Sequence, residues 1–343
     1  MNLFRQARFC LSPTAWRFAS KISTKEMIGK PPVLPVVEKD EIPRLFELNK
    51  IEKGTYRADF HGHNAKSNFG QNVYGGLLFA QGLEAAQLDV PSGFLPTSFH
   101  SLFVSYPFSK YPIDYQVEHL RDGGTFCARS IKGIQESKVV FAGFANFSKP
   151  SETSIYHTVK MPEVPKPEDV MDFFEYCEKA LAEHEAGKVK LHKMLEENLR
   201  HRLYYKPYSV LDVRPVDPQF HFVMEPYSNV PLRYWIKSSI KIDDPGMHRL
   251  IVCYLSDMYL VSAAILPHIS QGNQFNMIAS LDNTLWFHNY DFDANDFMLY
   301  EVHSPIADSG RAISHGKLWT RDGNLIASTS QEVLARFKGT SNL

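Results

Sequence analysis

Two stretches of this chain pass through the same order of elements, and that repetition restricts the fold more than any other feature. In the first, residues 46–57 (FELNKIEKGTYR) alternate as a strand. Gly75-Gly76 then opens an apolar helix through Leu77, Leu78, Ala80, Leu83, Ala85 and Ala86. β-type runs follow at 98–106, 113–120 and 125–147, the last turning at Glu136-Ser137 as a hairpin. In the second, 234–242 (YWIKSSIKI) reads as a strand and 250–266 as a helix carrying Leu260, Ala263, Ala264 and Ile265. The runs 277–288, 297–303 and 310–335 then follow, the last turning at Asp322-Gly323. Tyr115 to Asn146 lies over Tyr300 to Gln331 with a shift of 185 residues, and Gly75 over Asp257 with a shift of 182. A helix with small and apolar residues on nearly every face has to be enclosed. The pattern therefore predicts an internal duplication, two copies of one α+β unit.

The length suits this reading, since 343 residues hold two units of about 130–150 residues each plus additional segments. The units are placed at 42–150 and 234–337. Between them, 151–233 reads as a proline-rich linker or insert with one or two amphipathic helices. Its apolar stripe comprises Val170, Phe173, Phe174, Cys177 and Leu181 and, past Gly187, Leu191, Leu195 and Leu199. Hydrophobic residues at 44% and charged residues at 22% predict a core-forming protein and exclude wholesale disorder. With 37 basic residues against 38 acidic ones, nothing in the charge suggests a nucleic-acid partner. No run approaches 18 consecutive apolar residues, so no membrane-spanning helix is expected. Cys10, Cys127, Cys177 and Cys253 form no CxxC pair, which argues against a zinc ribbon or a disulfide framework.

The two ends carry possible addresses. Residues 1–25 hold Arg5, Arg8, Arg17, Lys21 and Lys25, and no acid precedes Glu26; with their serines and apolar residues they resemble a mitochondrial transit peptide, so residues 1–30 are read as a targeting segment. The terminal Ser341-Asn342-Leu343 is one basic residue short of the usual peroxisomal Ser-Lys-Leu. The matrix of the mitochondrion is the expected location, with the peroxisome as the alternative.

Several common catalytic signatures are missing. There is no Gly-x-Ser-x-Gly elbow, phosphate-binding loop or dinucleotide fingerprint. His61-Gly62-His63 lacks a third ligand at helical spacing, so no metal is expected. One polar residue of the second repeat stands out instead. Asp257 falls at or near the first turn of an apolar helix, where a carboxylate can serve as a cap. The first repeat begins its helix with Gly75-Gly76, so the fold does not require an acid there. Ser280 opens a strand, and Gln331 lies on the last one, places where a lone serine or glutamine is usually a surface or hydrogen-bonded residue.

Seven segments in order, NVYGGLLFAQGLEAA (72–86), SFHSLFVSYP (98–107), YQVEHLRDGGTFCARSIKGIQ (115–135), LDVRPV (211–216), YLSDMYLVSAAILPH (254–268), ASLDNTLWFH (279–288) and ASTSQE (327–332), resemble the acyl-CoA thioesterase II family. The resemblance implies a double hotdog, in which each repeat wraps an antiparallel sheet around one long helix. It also implies hydrolysis of fatty acyl-CoA to fatty acid and CoA without a cofactor. The family's acid falls on Asp257, its hydroxyl residue on Ser280 (threonine in bacterial members) and its glutamine on Gln331. Asn283 stands where the family often has histidine. Gly75 and Gly76 are candidate substrate contacts through a backbone N–H, and Arg121, Arg129, Lys132, Arg233 and Arg311 are candidates for the CoA phosphates. The expected first-repeat counterparts of the triad are Gly75, a residue near Thr97 or Ser98, and Asn146, which would leave one site per chain. A homo-oligomer is expected. A hotdog hydratase or dehydratase and a non-catalytic acyl-CoA-binding protein are the alternatives.

Overall fold

The computed structural model describes residues 36–62, 72–150 and 156–337, apart from 190, 192, 223–229, 272 and 274. Both candidate targeting segments, residues 1–30 and the C-terminal tripeptide, lie outside the described residues.

The first unit begins with two short strands, β1 (Asn49–Glu52) and β2 (Thr55–Ala58), where one strand was expected. Gly54, at φ +73°, makes the tight turn between them; a side chain there would also meet the Val117 carbonyl oxygen at 2.9 Å. Helix α1 (Gly75–Gln87) follows, then β3 (Leu95–Phe103), β4 (Ile113–Asp122), β5 (Phe126–Gln135) and β6 (Lys138–Ser148). Ten of the thirteen α1 residues are buried, as its composition requires.

The second unit repeats the plan with β7 (Leu211–Pro215), β8 (Leu232–Ser238), helices α5 (Pro245–Ser256) and α6 (Leu260–Ile269), β9 (Phe275–Ser280), β10 (Asp282–Phe287), β11 (Met298–Asp308), β12 (Arg311–Trp319) and β13 (Leu325–Phe337). β7 pairs with β8, Leu211 opposite Ser238, so the sheet of this unit reaches back to Leu211. The shift of 185 residues holds in the register: Tyr115 faces Gly133 and Tyr300 faces Leu318.

All thirteen strands join one antiparallel sheet in the order β1-β2-β4-β5-β6-β3-β10-β13-β12-β11-β8-β7, with β9 on β13. The order is nearly palindromic about the β3–β10 pair, where His100 faces Thr284. This is the double hotdog, two sheet halves each curled around a helix. Its main apolar core runs continuously through both units. In the stretch read as an insert, α2 (Phe173–Glu185) and α3 (Lys193–Tyr204) precede β7, and the short α4 (Pro218–His221) lies between β7 and β8, so the segment also carries a strand of the second unit's sheet. Asp172 caps α2 by accepting from the Phe174 and Glu175 N–H groups, while Phe173, Cys177 and Leu181 face inward.

Taken as one helical stretch, Pro245–Ile269 is long and apolar enough to cross a membrane by length and composition, although His248, Arg249, Ser256 and Asp257 interrupt its apolar run. Most of it, 78% of the apolar window, is buried inside the protein, so its hydrophobicity serves the core.

Candidate active site

The stretch expected to be one helix is broken. α5 ends at Ser256, Asp257 is its C-cap, and α6 begins at Leu260 after Tyr259, whose φ of +69° is left-handed. Asp257 therefore stands outside the first turn of α6, at the junction of two helices, and is not that helix's N-cap. Tyr74 and Tyr259 hold equivalent N-cap positions before α1 and α6. This alignment extends the 185-residue shift through the helices, in place of 182, and makes Asn72 the counterpart of Asp257.

Asp257 is 7% exposed and accepts hydrogen bonds from three elements. Ser280 Oγ of β9 donates to Oδ1 at 3.3 Å, and Gln331 Nε2 of β13 donates to the same oxygen. The Gly76 N–H, at the start of α1 in the other unit, donates to the carboxylate as well. The structure thus brings Asp257, Ser280 and Gln331 together, with Gly75 and Gly76 beside them.

The glycines permit this approach. A Cβ on Gly75 would sit 2.7 Å from Asp257 Oδ2, and one on Gly76 would sit 2.3 Å from the Tyr254 carbonyl oxygen. Burial pushes the Asp257 carboxyl above its ordinary value, while the donors from Gln331, Ser280 and Gly76 pull it down; burial wins.

A bulge presents Ser280. Thr284 faces Ser330, yet Ser280 faces Val333, so β9–β10 spends one more residue than β13. The first unit has the same irregularity, with Pro96 facing Phe147 and Ser98 facing Asn146. Pro96 accordingly occupies the place of Ser280. Strand alternation corrects the third counterpart as well: Asn146 is exposed, and the inward position matching Gln331 is the fully buried Ala145. Asn72, Pro96 and Ala145 supply no carboxylate and none of the side-chain donors that Ser280 and Gln331 bring to Asp257.

A supporting layer was not legible in the sequence. Tyr300 Oη donates to the Ser256 carbonyl at 2.8 Å and holds the end of α5. Asn283, fully buried, donates to Ser256 Oγ at 2.9 Å, which gives this departure from the family pattern a structural role. The Ser314 hydroxyl binds the Leu260 carbonyl at 2.8 Å, at the start of α6. Of the basic residues considered for phosphate, Arg129 is fully buried and bonds to the Asp89 carbonyl and the Asp122 carboxylate. Lys132, Arg233 and Arg311 pair with Glu118, Asp217 and Glu332. Their charges are largely committed within the chain.

Comparison with known proteins follows the same two-unit division. Residues 64–148 match the acyl-CoA thioesterase N-terminal domain, and residues 199–335 match the acyl-CoA thioesterase C-terminal domain. The chain belongs to the acyl-CoA thioesterase II family. With that it belongs among the thioester hydrolases. The chain is 32% identical over 302 residues to acyl-coenzyme A thioesterase 8 of Mus musculus, covering 87% of this chain and 89% of the relative. Over 304 residues it is 31% identical to acyl-CoA thioesterase 2 of Haemophilus influenzae, covering 87% of this chain and 99% of the relative. The crystal structure of an acyl-CoA thioesterase II from Mycobacterium marinum superposes with a TM-score of 0.66 at 26% identity, covering 88% of this chain and 99% of that one.

Proposed function

We propose that this thioesterase hydrolyses fatty acyl-CoA by water attack assisted by Asp257. The observation that carries the reading is the convergence of Ser280, Gln331 and the Gly76 N–H on one buried carboxylate. Asp257, with its pKa raised by burial, is a better base than an exposed aspartate. It takes a proton from water as the water oxygen bonds to the thioester carbonyl carbon. The tetrahedral intermediate then expels the CoA thiolate, which recovers that proton. Ser280 and Gln331 fix the carboxylate and leave their remaining lone pairs for the water; Gln331 Oε1 is buried and has no partner among the described residues. The Gly75 N–H is the candidate for receiving the oxyanion, because the Gly76 N–H donates to Asp257 and the Leu77 and Leu78 N–H groups to the Tyr74 carbonyl.

Substitution of Ser280 or Gln331 by alanine should lower kcat for CoA release from palmitoyl-CoA about 10-fold or more and change KM less, because these contacts matter most while the water is being deprotonated. A change confined to KM would move both residues to substrate binding. Hydration of crotonyl-CoA, measured alongside, tests the dehydratase alternative. His268, the histidine that chemistry would use, lies in the last turn of α6, whereas Asp257 lies before the start of that helix. An acyl-CoA-binding protein without activity would show neither reaction.

For location, the relatives favour the peroxisome. A protein of Saccharomyces cerevisiae named peroxisomal acyl-coenzyme A thioester hydrolase 1 is 24% identical over 300 residues. The mitochondrial reading of residues 1–25 finds no support among the relatives, and Ser341-Asn342-Leu343 is a weak form of the peroxisomal address. Fluorescent fusions of residues 1–30 and of residues 332–343 separate the two. The C-terminal fusion should enter peroxisomes; mitochondrial import of the N-terminal fusion with a diffuse C-terminal one would reverse the assignment.

A further inference from the structure

Among the described residues, four non-glycine residues have a positive φ: Glu136, Ser137, Ser309 and Tyr259. The first three lie in the short turns joining β5 to β6 and β11 to β12, where hairpin geometry calls for that conformation. Tyr259 lies in no hairpin. It closes the break between α5 and α6, two residues beyond Asp257, with φ +69° and ψ −12°. A bulky L residue disfavours this region and stays there only where its surroundings over-determine it.

Those surroundings are aromatic. The Tyr259 ring stacks on Tyr234, with centroids 3.9 Å apart and planes 10° apart. The His221 ring meets the Tyr259 and Tyr234 rings edge-on at 5.5 Å each, and its Nδ1 lies 2.9 Å from Tyr234 Oη. Phe173 of α2 packs on His221 at 5.5 Å and on Phe222 at 5.4 Å, and the Arg202 guanidinium of α3 lies 5.2 Å over Phe173. The helical insert thus backs the stack that holds Tyr259. The turn is also pinned at both ends, by Tyr300 at the Ser256 carbonyl and by Ser314 at the Leu260 carbonyl. Between those pins, Tyr259 is the residue whose conformation sets where the chain leaves Asp257.

We propose that Tyr259 is a positioning residue: its ring, clamped by Tyr234 and His221 and backed by the insert, holds the left-handed turn that aims the Asp257 carboxylate. This rests on the reading of Asp257 as the base. The groups facing that carboxylate are Ser280, Gln331 and the Gly76 N–H, together with the titratable side chains of Tyr74, Tyr254 and Tyr300. Of these, Tyr74 also feels the Tyr259 phenol, which Tyr259→Asn and Tyr259→Phe both remove, so the comparison of the two variants isolates the ring.

Tyr259→Asn separates conformation from clamping, because asparagine enters the left-handed region readily but brings no ring. Its kcat for palmitoyl-CoA is expected to fall about 10-fold with KM within about twofold, since a loosened base loses alignment before it loses substrate. The acid limb of its kcat–pH profile should move to lower pH as the carboxylate regains water. Tyr259→Phe, which keeps the ring, should rescue both kcat and the limb. A folded Tyr259→Asn protein with the parental kcat and acid limb would overturn the proposal. Should Tyr259→Asn not fold, Tyr234→Leu removes the stacking face from outside the turn and is held to the same two outcomes. Asp257→Asn, run in parallel, isolates the underlying reading: parental turnover there would refute the base assignment irrespective of Tyr259.

Discussion

Asp257→Asn is expected to lower kcat at least about 100-fold, the scale of a lost general base, while KM for palmitoyl-CoA changes little. The substitution is nearly isosteric, and the amide oxygen can still accept from Ser280 and Gln331, so the arrangement should persist. What is lost is the ability to take a proton from water. The stability effect has the opposite sign. Burial raises the folded-state pKa of Asp257 above its unfolded value, so its contribution to stability is present at low pH and is lost as pH rises through the folded pKa. The asparagine variant carries no such charge. Its urea midpoint relative to the parent should therefore improve as pH rises above the unfolded aspartate value of about 3.9 and level off once the folded carboxyl has ionised. Near-parental kcat would remove Asp257 from the mechanism. Because Asn72, Pro96 and Ala145 occupy the equivalent places in the first unit, no second site is available to rescue turnover; substantial residual activity in Asp257→Ala would contradict that assignment.

Gly76→Ala should cost about 3 kcal/mol or more of stability, at the upper end of overpacking penalties, because the new methyl would stand 2.3 Å from a backbone oxygen of α5. The Tyr254 carbonyl belongs to a helix and cannot swing aside, and the Tyr74 ring, 2.5 Å away, closes the other side. The urea midpoint measures this directly, and a parental midpoint would mean that α1 and α5 do not approach so closely. Gly75→Ala is the informative contrast. Its methyl would meet the Asp257 Oδ2 atom at 2.7 Å and the Phe103 ring at 3.2 Å, which are side-chain atoms that can move. It should therefore disturb the carboxylate more than the fold, with kcat falling further than the urea midpoint. The two neighbouring glycines would then separate packing of the helices from geometry of the site.

Much of this protein follows from local sequence pattern. The apolar periodicity of 75–87 and 250–266, the hairpin turn at Glu136-Ser137 and the 185-residue repeat depend on residues close together in the chain, and they were enough for the duplicated α+β architecture. Asp257, Ser280 and Gln331 were legible through the motifs that carry the family resemblance. Other features depend on contacts between distant segments. The break at 257–259 is unmarked by glycine or proline, because the left-handed Tyr259 is held by rings from α4 and β8. The bulge that presents Ser280 exists only in register with β13. Asn146 and Ala145 are adjacent in sequence, and only the sheet's inward and outward alternation decides that Ala145 matches Gln331. Asp257 and the Gly76 N–H come from different units, and they meet because the junction of α5 and α6 is packed against the start of α1. Propensity and periodicity act within a few residues of the chain, whereas the surroundings of this carboxylate are set by packing between segments about 180 residues apart.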